Sequence, residues 1–418
     1  MRFLIPALAI LLGACAVERG ARLDPDPWRR PPATATQVKK DLLRALEQRD
    51  GRGVTRGMMQ LSRMGATLSP ATQARLAPLL DRSALPHDWR PAGPLAEAFA
   101  HNFSFNERNV EGSGLVAEIP ADHRLIEGVA IDPVTGRLFA GSVVDRTLLV
   151  RDGGTWRPVP VSAPLGGIFG LAVDSKGRRL WAASAVAEVV PGPETAFSGL
   201  VAFDLDGLRE ARRVPTPGFQ PGDVAVAEDG TVYASDPRSG AILRCRPGCA
   251  ATEILVPPGI LRSPQGLVAW PGGRRLYVAD YELGLMAIDL GSLRIRPLVA
   301  RKPVMLDGID GLVRLGGKLV AIQNGTRPTR IVSIYLNRQG RIVEEVRVLE
   351  QGVAGEPTLG TMQGGDLFYV ADAQWESYAP GGHLRAGSAQ RPTPIRRVGA
   401  DDIVLTASNP RGGRPYVR

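Results

Sequence analysis

Ile126-Glu127-Gly128-Val129-Ala130-Ile131-Asp132, a turn, then Arg137-Leu138-Phe139-Ala140-Gly141-Ser142 spells a strand pair that the chain repeats. Copies follow at 169–174 with 179–184, 223–226 with 231–236, 265–270 with 275–280, and 310–313 with 318–322. The last places Glu356-Pro357-Thr358 ahead of 367–372. Phe139, Trp181, Tyr233, Tyr277, Val320 and Phe368 hold the matching place, 42, 52, 44, 43 and 48 residues apart. That period is the signature of a propeller blade. Each copy has β-rich residues, alternation and a Gly-bearing hairpin turn. One such unit cannot bury both of its faces, whereas six arranged radially bury one another. The fold class expected is all-β, a six-bladed β-propeller with a small N-terminal helical module.

The 418 residues are 44% hydrophobic, enough for a large core, and 49 Gly and 35 Pro suit a turn-rich protein. The formal charge is +9, but 51 basic and 42 acidic residues are mixed through the blades. Nucleic-acid binding would want them clustered, so a solvated surface and no nucleic-acid partner are expected. A monomer is the expected state.

Residues 1–14 read as a lipoprotein-type signal peptide: Met-Arg, an apolar run, then small residues. Leu12-Gly13-Ala14-Cys15 resembles a bacterial lipobox. Cys15 would then carry the lipid that holds the chain to a membrane; an ordinary cleaved signal and an uncleaved anchor are the other readings. Ala16 after it points to the outer rather than the inner membrane, on the periplasmic face of a bacterial cell envelope. Cys245 and Cys249 flank a Pro-Gly turn, and a small disulfide loop fits an oxidising compartment; free thiols or a metal site are the alternatives.

Residues 15–35 read as a flexible tether, rich in Pro, Arg and Asp. Residues 36–82 form the helical module, with helices expected over 36–48, 54–64 and from Ser69-Pro70 to about 80. Residues 83–120 lead in, with strands expected at Phe103-Ser104-Phe105 and at 115–119, one of them closing the ring. The propeller spans 121–400. Residues 401–418 carry a strand candidate, 403–406, and a tail. The stretches 185–199 and 379–394 read as loops inserted into the blades.

In a propeller the loop entering each first strand aims side chains into the channel mouth. Counting back 11 residues from the repeated Leu or Val gives Glu127, Phe169, 221–223, Gln265, 308–310 and Glu356. Oxygen donors converging on one axis suit a hard divalent ion. Phe169 makes part of the channel apolar. Asn324, in Gln323-Asn324-Gly325, marks either a tight turn or the channel mouth. His87, His101, His123 and His383 show no ligand spacing; His123, four residues before Glu127, is a candidate proton carrier. Asp132, Asp174 and Asp280 read as turn-capping residues.

The blades resemble the family of gluconolactonase, regucalcin (senescence marker protein) and, more distantly, paraoxonase, over about 121–375. The fourth blade carries the resemblance furthest, with Ser263-Pro264-Gln265-Gly266-Leu267 and Pro271-Gly272-Gly273-Arg274-Arg275-Leu276-Tyr277-Val278-Ala279-Asp280. The resemblance implies metal ligands at Glu127, Gln265 and Asp310, with Asp310 also the candidate general base. It departs at Gly222-Asp223, where the family has an Asn, and at Gln265, one methylene longer than Asn. Asp223, Glu356 and Asn324 are then the substitute ligands. The implied ion is Ca²⁺, with Zn²⁺ or Mn²⁺ as alternatives, or no ion at all.

Two functions follow from this reading. One is an exported metal-dependent hydrolase of a small lactone or ester, its ion polarising the carbonyl. The other is a non-catalytic propeller that binds a protein, sugar or small molecule at its mouth, since fold alone does not choose.

Overall fold

The computed structural model describes residues 20–23, 34–352, 355–399 and the backbone of 405–406. Six sheets of at least four strands stand around one axis. The first strands are Ile126–Ile131, Gly167–Asp174, Asp223–Val226, Pro264–Trp270, Ile309–Leu315 and Gly360–Gln363. They touch in succession, and the sixth closes on the first. The expected six-bladed propeller is therefore the fold. Ile126–Ile131 is buried at every position, because neighbouring blades cover both of its faces. That is why its sequence is nearly all apolar or small.

Ring closure uses chain from both ends. Ser113–Ile119 pairs antiparallel with Thr393–Gly399 and forms the outer strand of the sixth blade. The other strand expected in this lead-in is instead part of a helix. Phe103-Ser104-Phe105 lies in Leu95–Asn106, where Leu95, Phe99 and Phe103 are the buried residues. Their spacing of four is helical, and the local alternation of Phe and Ser concealed it. Leu405–Thr406 pairs with the long outer strand Ile342–Gln351 of the fifth blade, while 403 and 404 lie outside the described residues. Arg22–Leu23 adds a parallel edge strand to the fourth blade.

The N-terminal helices are α1 (Ala35–Glu47), α2 (Gly51–Arg63), α3 (Pro70–Leu76) and α4 (Leu95–Asn106). Thr34 and Ser69 cap α1 and α3 through their hydroxyls. The four helices share one core, and Met305 of the propeller enters it. Fully buried Asp307 accepts the Ala35 N–H at 3.0 Å and the Thr36 N–H at 2.7 Å. A propeller carboxylate thus sits on the positive end of α1. Arg330, also buried, donates to Gln323 and to the Met305 carbonyl beside it. The module is fastened three residues ahead of Asp310.

Asp132 and Asp280 do cap turns. Asp280 accepts the N–H groups of Arg262, Ser263, Glu282 and Leu283. Asp132 accepts Val134 N–H and holds Arg178 in a bidentate pair. The two inserted loops meet above the first blade, where Gly381 N–H donates to the Glu188 carbonyl at 2.8 Å.

Candidate functional site

Four of the six first strands carry the same irregularity. Pairing slips between Ile126 and Gly128, Ile168 and Leu171, Pro264 and Leu267, and Ile309 and Leu312. The slipped residues are Glu127, Phe169-Gly170, Gln265-Gly266 and Asp310-Gly311. A bulge puts an extra residue against its partner strand and re-aims a side chain. The glycines beside it let neighbouring blades meet: a Cβ on Gly128 would lie 2.4 Å from the Phe169 carbonyl oxygen, and one on Gly311 2.6 Å from that of Thr358. Tight backbone contact at the axis is therefore what places the counted residues in the mouth.

All six counted positions line one cavity of about 640 Å³: Glu127, Phe169, Asp223, Gln265, Asp310 and Glu356. Asn324 lines it too, so it belongs to the mouth as well as to its turn. His123 is half-buried in the loop before the first blade and is absent from the lining. Two aromatic residues with no assigned role in the sequence complete the wall, Tyr281 and Trp375. A signal for one of them existed. Val186, Pro237, Tyr281 and Asn324 each follow directly on the second strand of blades two to five, and all four line the cavity.

The polar contacts form a closed set. Trp375 Nε1 donates to Glu127 Oε2 at 2.6 Å, and the Trp375 backbone N–H donates to Glu356 Oε2 at 2.7 Å. Asn324 Nδ2 donates to Asp310 Oδ2 and to the Pro357 carbonyl, both at 2.8 Å. Tyr281 hydroxyl donates to Asn324 Oδ1 at 2.8 Å, which fixes that amide's orientation. Gln265 Nε2 donates to Ser263 Oγ at 3.1 Å. The Phe169 and Trp375 rings stack at 6.2 Å, inclined by 26°.

Crowding and burial raise the carboxyl pKa of Glu127, Asp223, Asp310 and Glu356. Burial pushes Asp223 up to about 8, against the pull of the Val224 and Leu267 N–H groups. Burial likewise lifts Asp310 to about 6, with Asn324 opposing. Glu127 is held well above the usual carboxylate range, first by burial and then by the charge of Asp310. Glu356 is raised by burial. Low-dielectric surroundings penalise each charge, and like charges penalise one another.

The expected metal centre is not formed. Among the described residues no three His, Cys, Asp or Glu side chains come together to hold an ion. The reason is visible in the partners. Glu127 and Glu356 are drawn to Trp375, Asp310 to Asn324, and Gln265 to Ser263, while Gly222 offers no side chain where an amide ligand was wanted. Glu127, Asp223, Gln265, Asp310, Asn324 and Glu356 do not make a cage for Ca²⁺, Zn²⁺ or Mn²⁺. The ion-polarised lactone or ester hydrolysis with Asp310 as base is accordingly withdrawn.

Membrane anchoring also loses its footing among the described residues. Cys245 and Cys249 are joined in the disulfide, so neither offers a free thiol for an acyl chain. Cys15 lies outside the described residues, as does the whole signal segment. No described helix is long and apolar enough to cross a membrane.

No protein-family model and no curated protein sequence matches the chain. Among solved structures it is similar to the major allergen Mala s 1 of Malassezia sympodialis, at 16% identity and a TM-score of 0.50, over 69% of this chain and 97% of that one. It is also similar to the gluconolactonase XC5397 of Xanthomonas campestris, at 18% identity and a TM-score of 0.44, over 70% and 99%. A third is the PQQ-bound aldose sugar dehydrogenase of Streptomyces coelicolor, at 17% and 0.45, over 70% and 98%. Identities this low speak of fold alone.

Proposed function

We propose that the chain is a ligand-binding propeller whose channel mouth receives a small organic molecule. The observation that carries this reading is the cavity of about 640 Å³, with apolar Phe169 on its wall and polar side chains from several blades. Its size lies within the range of small-molecule sites, and convergent polar groups on a partly apolar wall are their usual chemistry. The Cys245–Cys249 bridge supports an exported protein working in an oxidising compartment.

The test is thermal shift and calorimetry on the full chain with a panel of neutral, anionic and cationic small molecules, repeated on Ala187→Trp. Ala187 lies in the blade-two insertion and lines the cavity, so the indole narrows the mouth. A saturable shift that the variant weakens at least tenfold is the expected result. No shift with any compound, or a shift that the variant leaves intact, overturns the reading.

A further inference from the structure

We infer that the molecule taken by this cavity is an organic cation, an amine or ammonium group on a partly apolar body; the inference rests on the ligand-binding reading above. Five acids line the cavity: Glu188, which is exposed, and Glu127, Asp223, Asp310 and Glu356, which are buried or half-buried. Among the described residues that line it the one base is Arg238, which is exposed. The acids therefore have no fixed counter-charge at the level where they meet.

A second observation points to a ligand rather than to a solvated acidic patch. Glu127 is only 7% exposed. Its Oε2 accepts from Trp375, while its Oε1 has no hydrogen-bond partner among the described residues. That oxygen is not one of the sealed, unpartnered side-chain atoms of the described residues, so it stays open to a donor instead of being shut in. Glu127 belongs to the cavity wall, so a bound donor can reach it from the cavity.

The third element is aromatic. Trp375 donates through its ring edge to Glu127, and the near-parallel Phe169 ring lies beside it. Tyr281 stands on the same lining. A ring face attracts a cation through its quadrupole, best of all for Trp, and it also packs against hydrocarbon. Carboxylates and aromatic faces on one wall favour a positive, partly apolar guest. An anion would meet five acids, and a neutral polyol would do nothing to offset the cost of ionising carboxyls that burial and crowding already disfavour, whereas a cation would.

The experiment uses the full chain and three compounds of one shape: 2-phenylethylamine hydrochloride, 2-phenylethanol and phenylacetate. Calorimetry and Trp fluorescence read their binding to the wild type, to Glu127→Gln and to Asp310→Asn. Gln at 127 keeps an oxygen for Trp375 and removes the charge, and near-UV circular dichroism verifies the fold of each variant. The amine is expected to bind at least tenfold more tightly than the alcohol or the acid, and to lose at least tenfold in each folded variant. Equal or tighter binding of the alcohol or acid overturns the cation while leaving the small-molecule reading standing. Amine binding unchanged in both variants overturns it as well. Failure of all three compounds overturns the cation, and failure of the wider panel too overturns the small-molecule reading itself.

Discussion

Glu127 and Trp375 stand 248 residues apart in the chain and 2.6 Å apart in the structure, indole N–H to carboxylate oxygen. The contact joins the first bulged strand to the loop that follows the second strand of the sixth blade. It therefore spans the closure of the ring.

Trp375→Phe removes that donor and keeps a ring against Phe169. A hydrogen bond to a charged group contributes about 1.5–3 kcal/mol, and the variant should lose an amount of that order in urea unfolding. The indole N–H lowers the Glu127 pKa, so its loss should drive that pKa further up. An NMR titration of labelled glutamate checks this, and a pKa that falls or stays put refutes the assigned role.

Stability should decline as pH rises through the neutral range. A carboxyl whose folded pKa is raised holds a proton that the unfolded chain has released, and this favours folding only while the folded group stays protonated. The window runs from about 4, where unfolded Asp and Glu ionise, through about 6 for Asp310 to about 8 for Asp223. Within its own window each group contributes a slope of about 1.4 kcal/mol per pH unit. Asp223→Asn should flatten the profile above pH 6. An unchanged slope would show that Asp223 ionises normally.

Gly266→Ala should destabilise the ring by about 1–3 kcal/mol or more, as overpacking does. The added Cβ would fall 2.5 Å from Leu312 N and 2.7 Å from the Asp310 carbonyl oxygen, both backbone atoms that cannot swing away. Gly114→Ala is the control, because nothing lies within 4 Å of its Cβ position. Urea midpoints that do not separate the two substitutions would contradict the close-approach account.

Asp307→Ala should loosen the helical module. The carboxylate caps α1 through Ala35 and Thr36 and attracts buried Arg330. Leaving a buried donor without its acceptor costs about 1–3 kcal/mol. Hydrogen exchange at the Ala35 and Thr36 amides should accelerate well before global unfolding, whereas unchanged protection would place the fastening elsewhere.

The blade framework was legible because every copy obeys one local rule, an apolar first strand and a Gly-bearing turn. The mouth was legible in position for the same reason: Glu127, Phe169, Gln265 and Glu356 sit at a fixed offset from the repeated Leu. What the offset could not give was what each acid turns toward. Trp375 follows the second strand of the sixth blade, and only the closed ring brings it against Glu127 of the first; Asn324 meets Asp310 across the hairpin of their own fifth blade, a contact that strand pairing sets and the offset does not. A list of donors in sequence therefore looked like a metal cage, whereas the donors were already engaged. The helix at Leu95–Asn106 was hidden by a two-residue alternation that a wider window, from Leu95 through Phe99 to Phe103, would have resolved.

The strand Ser113–Ile119 has a consequence for the order of events during synthesis. It is made before any blade, yet its sheet neighbour, Thr393–Gly399, is made after nearly all of them. The first blade, made next, can cover Ala117 and Ile119 on one side, but until Thr393–Gly399 arrives the strand's hydrogen-bonding edge has no partner. Closing so long a loop is entropically demanding and slow. Five blades can assemble as the chain grows, but the circle cannot lock until its tail returns to its beginning. Nascent chains of this protein therefore carry an open, sticky edge for most of their production.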